Sequence, residues 1–277
     1  MLYGIQQNTL ASPLSLIVSI VLFFGVVAIG DISQKFFLRK INYFKYDDYN
    51  IYFAPLIGAF LLIYPIYIIL IFELKANIFL KFISYFLIIF GIINIYLKKN
   101  LYISIIKKFN FNSSLIIYLI ILVYIFLFFI SSSPITHADS IDYHFSGALD
   151  ILRNSHFHKE ILPMHNTLVS IGEIIIAIGL VVGAEQFGGI IQFSALFALI
   201  PIFFRKEQNK IFLLAILICP ITLFLVSSPK PQLLFAISSF LIFVFLTSYF
   251  SKLNKSAIKT SFSVIIFILA LNILAKH

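Results

Sequence analysis

Tryptophan is absent from this 277-residue chain, cysteine occurs once and acidic residues number only eleven. Each shortage removes a class of protein. One cysteine, Cys219 in an apolar run, excludes a disulfide framework and any cysteine-based metal site within the chain. Charged residues make up 11% of the sequence, hydrophobic ones 61%, and the mean hydropathy is +1.05. That balance excludes an ordinary soluble domain and describes a polytopic membrane protein. Without tryptophan, the interfacial belt falls to tyrosines near helix ends, such as Tyr49, Tyr52, Tyr96, Tyr102 and Tyr249. No basic residue precedes Lys35, so the first thirty residues lack the positive start of a cleavable signal peptide.

The net charge of +9 does not indicate nucleic acid, because the lysines and arginines sit in short loops between apolar runs. A spanning helix needs about 20 apolar residues. The runs 13–30, 51–72, 77–97, 115–133, 186–204, 211–227, 232–250 and 260–275 approach or meet that length. The sequence thus predicts an all-α transmembrane bundle of about eight spans, in contact with membrane lipid. A ninth stretch, 166–183, carries Glu173 and three glycines. If it does not cross and the N-terminus is outside, fourteen of the twenty basic residues fall in inside loops. If it does cross, ten do and the bias vanishes. The positive-inside rule therefore reads 166–183 as half-inserted or interfacial and puts 134–165 on the outer face. The last run ends at Lys276-His277 without a polar tail, which reads as a short or truncated chain.

Five of the six histidines lie in one outer segment: His137, His144, His156, His158 and His165. It opens with His137, Asp139, Asp142, Tyr143 and His144 directly after an apolar run. Ionisable groups clustered where a membrane helix meets water mark a working site. Asp139 and Asp142 suit a general base or a divalent-cation ligand. They equally suit helix capping, with Asp139 as the cap and Asp142 in the first turn. Residues 140–153 read as an amphipathic interfacial helix. Ile141, Phe145, Leu149 and Leu152 rest on the membrane, and Asp142, His144, Ser146, Asp150 and Arg153 face water. His156-x-His158 and His137-x-Asp139 offer metal-ligand chemistry, though not at helical metal-site spacing. Arg153 and Lys159 supply the segment's positive charge, suited to a phosphate-bearing lipid. Arg153 also suits a surface pair with Asp150. Lys230, held between two prolines in Ser227-Ser-Pro-Lys-Pro-Gln232, extends from a second outer loop. Glu173 belongs in a cavity or at headgroup depth.

A membrane helix followed by His137-x-Asp139-Ser140-x-x-Tyr143-His144 and an amphipathic helix resembles the first outer loop of GT-C-type membrane glycosyltransferases. Downstream, Pro163, the helix 166–183 and a return helix ending in Arg205-Lys206 follow a similar order. Lys230-Pro231-Gln232 resembles a later outer-loop element of bacterial relatives. The resemblance covers about 115–277. It divides the chain into a three-helix extension, 1–110, and a membrane core, 111–277, with the outer loop 134–185. It implies a sugar donor on a polyprenyl phosphate and an acceptor hydroxyl. Asp139 is the base or acceptor-positioning group and Asp142 a second candidate. His137, Tyr143, His144, Arg153 and Lys230 contact substrate, and no resident metal is assigned beyond a possible divalent cation. The other classes open to such a chain are a transporter or flippase, and an envelope polysaccharide polymerase or ligase.

Overall fold

The computed structural model describes residues 9–40, 48–72, 74–108, 115–134, 144–155, 172–204, 207–228 and 232–250. All regular structure among them is helical. The first three helices are α1 (Leu14–Lys40), α2 (Ala54–Ile71, entered through the 3-10 turn Asp48–Phe53) and α3 (Ala76–Lys108). Within them the stretches Leu14–Phe36, Ile51–Ile71 and Ala76–Ser104 are each long and apolar enough to cross a bilayer. Then follow α4 (Leu115–Ser131), α5 (Ser146–Asn154), α6 (Glu173–Val181) and α7 (Phe187–Ser194). Helix α7 runs on through the 3-10 turn Ala195–Leu199 into Ile200–Phe203. The last helices are α8 (Glu207–Leu217), α9 (Pro220–Ser227) and α10 (Gln232–Phe250).

Seven of the eight predicted apolar runs coincide with these helices; the eighth, 260–275, lies outside the described residues. Among the described residues three helices are long and apolar enough to span, or four if the bent pair α8 and α9 is one span. That pair bends by 52° at Cys219, because Pro220 has no N–H to continue the helix and takes the first position of a new one. Thr222 Oγ1 donates to the carbonyl of Ile216 across the break (2.7 Å), recovering one of the freed acceptors. Large apolar side chains face outward along α3 (Ile78, Phe82, Tyr85, Ile89) and α4 (Leu115, Leu122, Ile125). A soluble fold does not leave such continuous apolar surface uncovered, and lipid is the covering that fits.

Helices α1 and α2 are antiparallel: the place of a β-carbon on Gly30 is filled by the Ala54 carbonyl, and that on Gly58 by the Val26 carbonyl. Helix α3 runs parallel to α1. Asn94 donates to the Phe24 carbonyl (2.9 Å), and Lys98 pairs with Asp31 further along both helices. At the opposite end, Leu10 N–H donates to the Gly183 carbonyl (2.9 Å) and Asn77 N–H to Ser155 Oγ (3.3 Å). The turns before α3, after α5 and between α6 and α7 therefore share one end of the bundle. The larger of two hydrophobic clusters among the described residues runs from Leu22 to Leu241, so the three N-terminal helices and the rest are packed as a unit.

Two expectations change. The amphipathic helix begins with a π turn at His144 and Phe145, then continues as α5; residues 140–143 lie outside the described residues. Its apolar face does not rest on lipid. Phe145, Ala148, Leu149 and Ile151 are buried in the protein core, while Leu152 is only half-buried. The stretch 166–183 is helical from Glu173 to Val181, with 166–171 outside the described residues. Nine residues rise about 13.5 Å, less than half of a bilayer's roughly 30 Å hydrocarbon core. Ile174 to Leu180 are all buried, so α6 sits inside the fold and not on its surface. Ser84 Oγ of α3 donates to its Ile178 carbonyl (2.7 Å). A helix apolar all round is an interior helix.

Candidate functional site

Helices α5 and α6 pack against each other, and their first residues meet. His144 Nδ1 and Glu173 Oε1 form a short hydrogen bond across 29 residues of chain. Glu173 is 0% exposed and His144 6%, so the carboxylate lies behind and the imidazole nearer the surface. Glu173 occupies the first turn of α6, where the unpaired N–H groups and the helix dipole favour a negative charge. An ionisable group this deep is tolerated only when paired. Such a pair adds little net stability over an apolar one, yet removing one partner typically costs about 3–5 kcal/mol.

This geometry corrects the placing of His144 on a water-facing surface, and it puts Glu173 inside the protein. Their partnership was not read from the sequence. The available signal was the lone acid in an apolar run, which demands a partner; His144 was already singled out nearby. Arg153 lies exposed in the last turn of α5, as expected of a group that meets an anion from solution. The helix stops at Ser155, in the left-handed conformation (φ 59°) that ends many helices. His137, Asp139, Asp142, Tyr143 and Lys230 lie outside the described residues, as do His156, His158, Lys159 and His165.

The edges of these segments are nevertheless fixed. Ser131 ends α4 against Gly189 of α7. One turn on, buried Gln192 accepts a hydrogen bond from the Leu234 N–H (3.0 Å) in the first turn of α10. Gly189 and Gln192 are three apart on one helix face. Helix α7 thus anchors both the segment that leads to Asp139 and the helix that follows Lys230.

A second polar group joins α1 to the α6–α7 turn. Gly183, with φ 73°, supplies the left-handed residue of that turn, and Ala184 N–H bonds back to the Gly179 carbonyl (2.9 Å). Ser15 Oγ donates to Gln186 Oε1 (2.5 Å) and accepts from the Glu185 N–H (3.2 Å). Gln186 Nε2 donates to Glu185 Oε1 (3.1 Å). Burial pushes the Glu185 carboxyl above the usual carboxylate range. At the far end Asp31, 1% exposed, takes Lys98 and Lys35 (2.9 Å) together. Among the described residues no three metal-ligating side chains come together, and His144 with Glu173 supplies two.

The chain belongs to the family described as the DUF1420 N-terminal domain, whose model matches residues 1–102 and 95–276. No curated protein and no solved structure matches it.

Proposed function

We propose that this member of the family is a multi-pass enzyme of a bacterial inner membrane that transfers a sugar on the outer face. The donor is a sugar on a polyprenyl phosphate and the acceptor a hydroxyl. About eight helices cross the membrane, with the shorter apolar helices tilted or bent among the longer ones. Residues 134–143 supply Asp139, as base or acceptor-positioning group, and Asp142 as a second candidate. His137, Tyr143 and His144 contact the sugar, and Arg153 and Lys230 meet the departing phosphate.

One observation carries this reading. His144, which closes the run His137, Asp139, Asp142, Tyr143, His144, is buried in the core and bonded to Glu173. A merely solvated loop has no use for a buried polar anchor, whereas a site that must hold reacting groups within a fraction of an ångström does.

The test is transfer of radiolabelled sugar from a panel of polyprenyl-phosphate hexoses and pentoses into the acceptor fraction of membranes holding the full-length protein. Asp139→Asn is expected to lower turnover about 10²–10⁴-fold if Asp139 is the base. It keeps the capping ability that Asn and Asp share. A wild-type protein that transfers sugar from no such donor contradicts the proposal.

A transporter is the second reading, favoured by the 52° break between α8 and α9 and by the short internal helix α6 with its acid. Interrupted helices of this kind form mid-membrane binding sites in transporters. Solute flux into proteoliposomes without any sugar transfer would select it.

A further inference from the structure

We infer that His144 is the base that takes the proton from the acceptor hydroxyl, with Glu173 orienting its ring. This rests on the sugar-transfer reading and names the proton acceptor within the same site.

Burial is the first reason. The carboxylate is wholly enclosed, and of the two side chains only the imidazole keeps any exposure. Because the ring meets Glu173 through Nδ1, the nitrogen left for chemistry is Nε2. Among the described residues nothing else is bonded to the ring. When an ionised carboxylate accepts a hydrogen bond from Nδ1–H, the neutral ring has its lone pair on Nε2. That is the tautomer of a general base, and a carboxylate behind a histidine serves elsewhere to hold it.

The surroundings are the second reason. Phe145, Ala148, Ile174 and Ile175 are all buried beside the pair, in a core able to hold α5 to α6 by apolar contact alone. A buried ionisable pair is a poor way to join two helices, since a well-packed apolar pair often does as well or better. What it adds is a fixed ring in a fixed tautomer. The third reason is covalent: the ring follows the acid-bearing loop directly, two residues after Asp142 and five after Asp139.

The step balances as follows. The acceptor oxygen bonds to the anomeric carbon as its proton moves to His144 Nε2. The bond from that carbon to the phosphate oxygen breaks, and the polyprenyl phosphate leaves with the electron pair. The resulting imidazolium faces the Glu173 carboxylate, and its proton passes to water or to the departing phosphate.

Two measurements on the full chain decide the matter. Nitrogen NMR of ¹⁵N-histidine-labelled protein in detergent, with His144 assigned by its absence in His144→Gln, reads the tautomer without any substrate. A protonated Nδ1 and a bare Nε2 at mildly alkaline pH are expected; a protonated Nε2 overturns the inference. In the sugar-transfer assay, His144→Gln is expected to lose about 10²–10⁴-fold in kcat with the acceptor KM little changed. Glu173→Gln should lower kcat in the same direction and shift the His144 nitrogen signals. His144→Gly should regain turnover with added imidazole, which a purely structural histidine would not permit. Wild-type kcat in His144→Gln, or a His144→Gly protein that is stable but unrescued, overturns the base role and leaves the transferase reading standing. A wild type without transfer activity removes that reading and the base role with it.

Discussion

The carbonyl oxygen of Ser131, at the end of α4, lies only 2.4 Å from where a β-carbon on Gly189 of α7 would stand. Backbone sits against backbone there, with no flexible side chain to yield. Gly189→Ala must therefore push α4 away from α7 and move the start of the segment that leads to Asp139. We expect a loss of about 1–3 kcal/mol, the usual cost of overpacking. It should read as a lower midpoint of thermal unfolding in detergent. An alanine variant as stable as the parent would show that α4 does not dock on α7 at this point.

Asp31 and the two lysines test the far end of the bundle. Lys98→Met removes one of the two lysines paired with this nearly fully buried carboxylate. Orphaning a buried charge costs about 3–5 kcal/mol when the pair is fully enclosed. Here the cost is smaller, because the Lys98 side chain is 21% exposed and Lys35 remains. The double variant Asp31→Leu/Lys98→Met should recover most of the loss. Denaturation in detergent would measure both. Equal instability of the single and double variants would contradict the assigned pairing.

Glu185 gives a pH dependence. Its carboxyl is raised from the ordinary 4.5 by burial, so the folded protein binds that proton more readily than the unfolded chain. The sign follows: this group's contribution to stability falls as pH rises from the ordinary value through the raised one. Glu185→Gln keeps a carbonyl for Gln186 Nε2 and removes the titration. It should flatten the decline in unfolding midpoint over that interval and be the more stable form at neutral pH. An unchanged slope would show that Glu185 is better solvated than its burial implies.

The helices were legible because an apolar run of bilayer length has few alternatives. Seven runs appear as helices, and the one acid-bearing stretch set apart as non-crossing is the one that forms a short internal helix. What periodicity does not carry is the identity of the covering surface. Phe145 and Leu149 were rightly placed on the hidden face of α5. Lipid and protein select the same side chains, however, and the face proved to be packed on α6 and α3. The first predicted apolar run, 13–30, stops just short of Asp31. Helix α1 in fact continues to Lys40 and buries that acid between two lysines. The bond between His144 and Glu173 was hidden for another reason. No local pattern joins residues 29 apart, and only the rule that a buried charge needs a partner pointed to it.

Everything proposed for this chain turns on one placement: the end of the bundle that holds Ser155 and the α6–α7 turn faces outward, opposite the end that holds Lys98. Asn154 and Asn100 are exposed residues near these two ends. With Cys219 first replaced by serine, Asn154→Cys and Asn100→Cys are labelled one at a time in intact cells with a membrane-impermeant maleimide. The distribution of basic residues predicts labelling at 154, and at 100 only after the cells are opened. Labelling at 100 with protection at 154 in intact cells would invert the topology and remove the outer-face site.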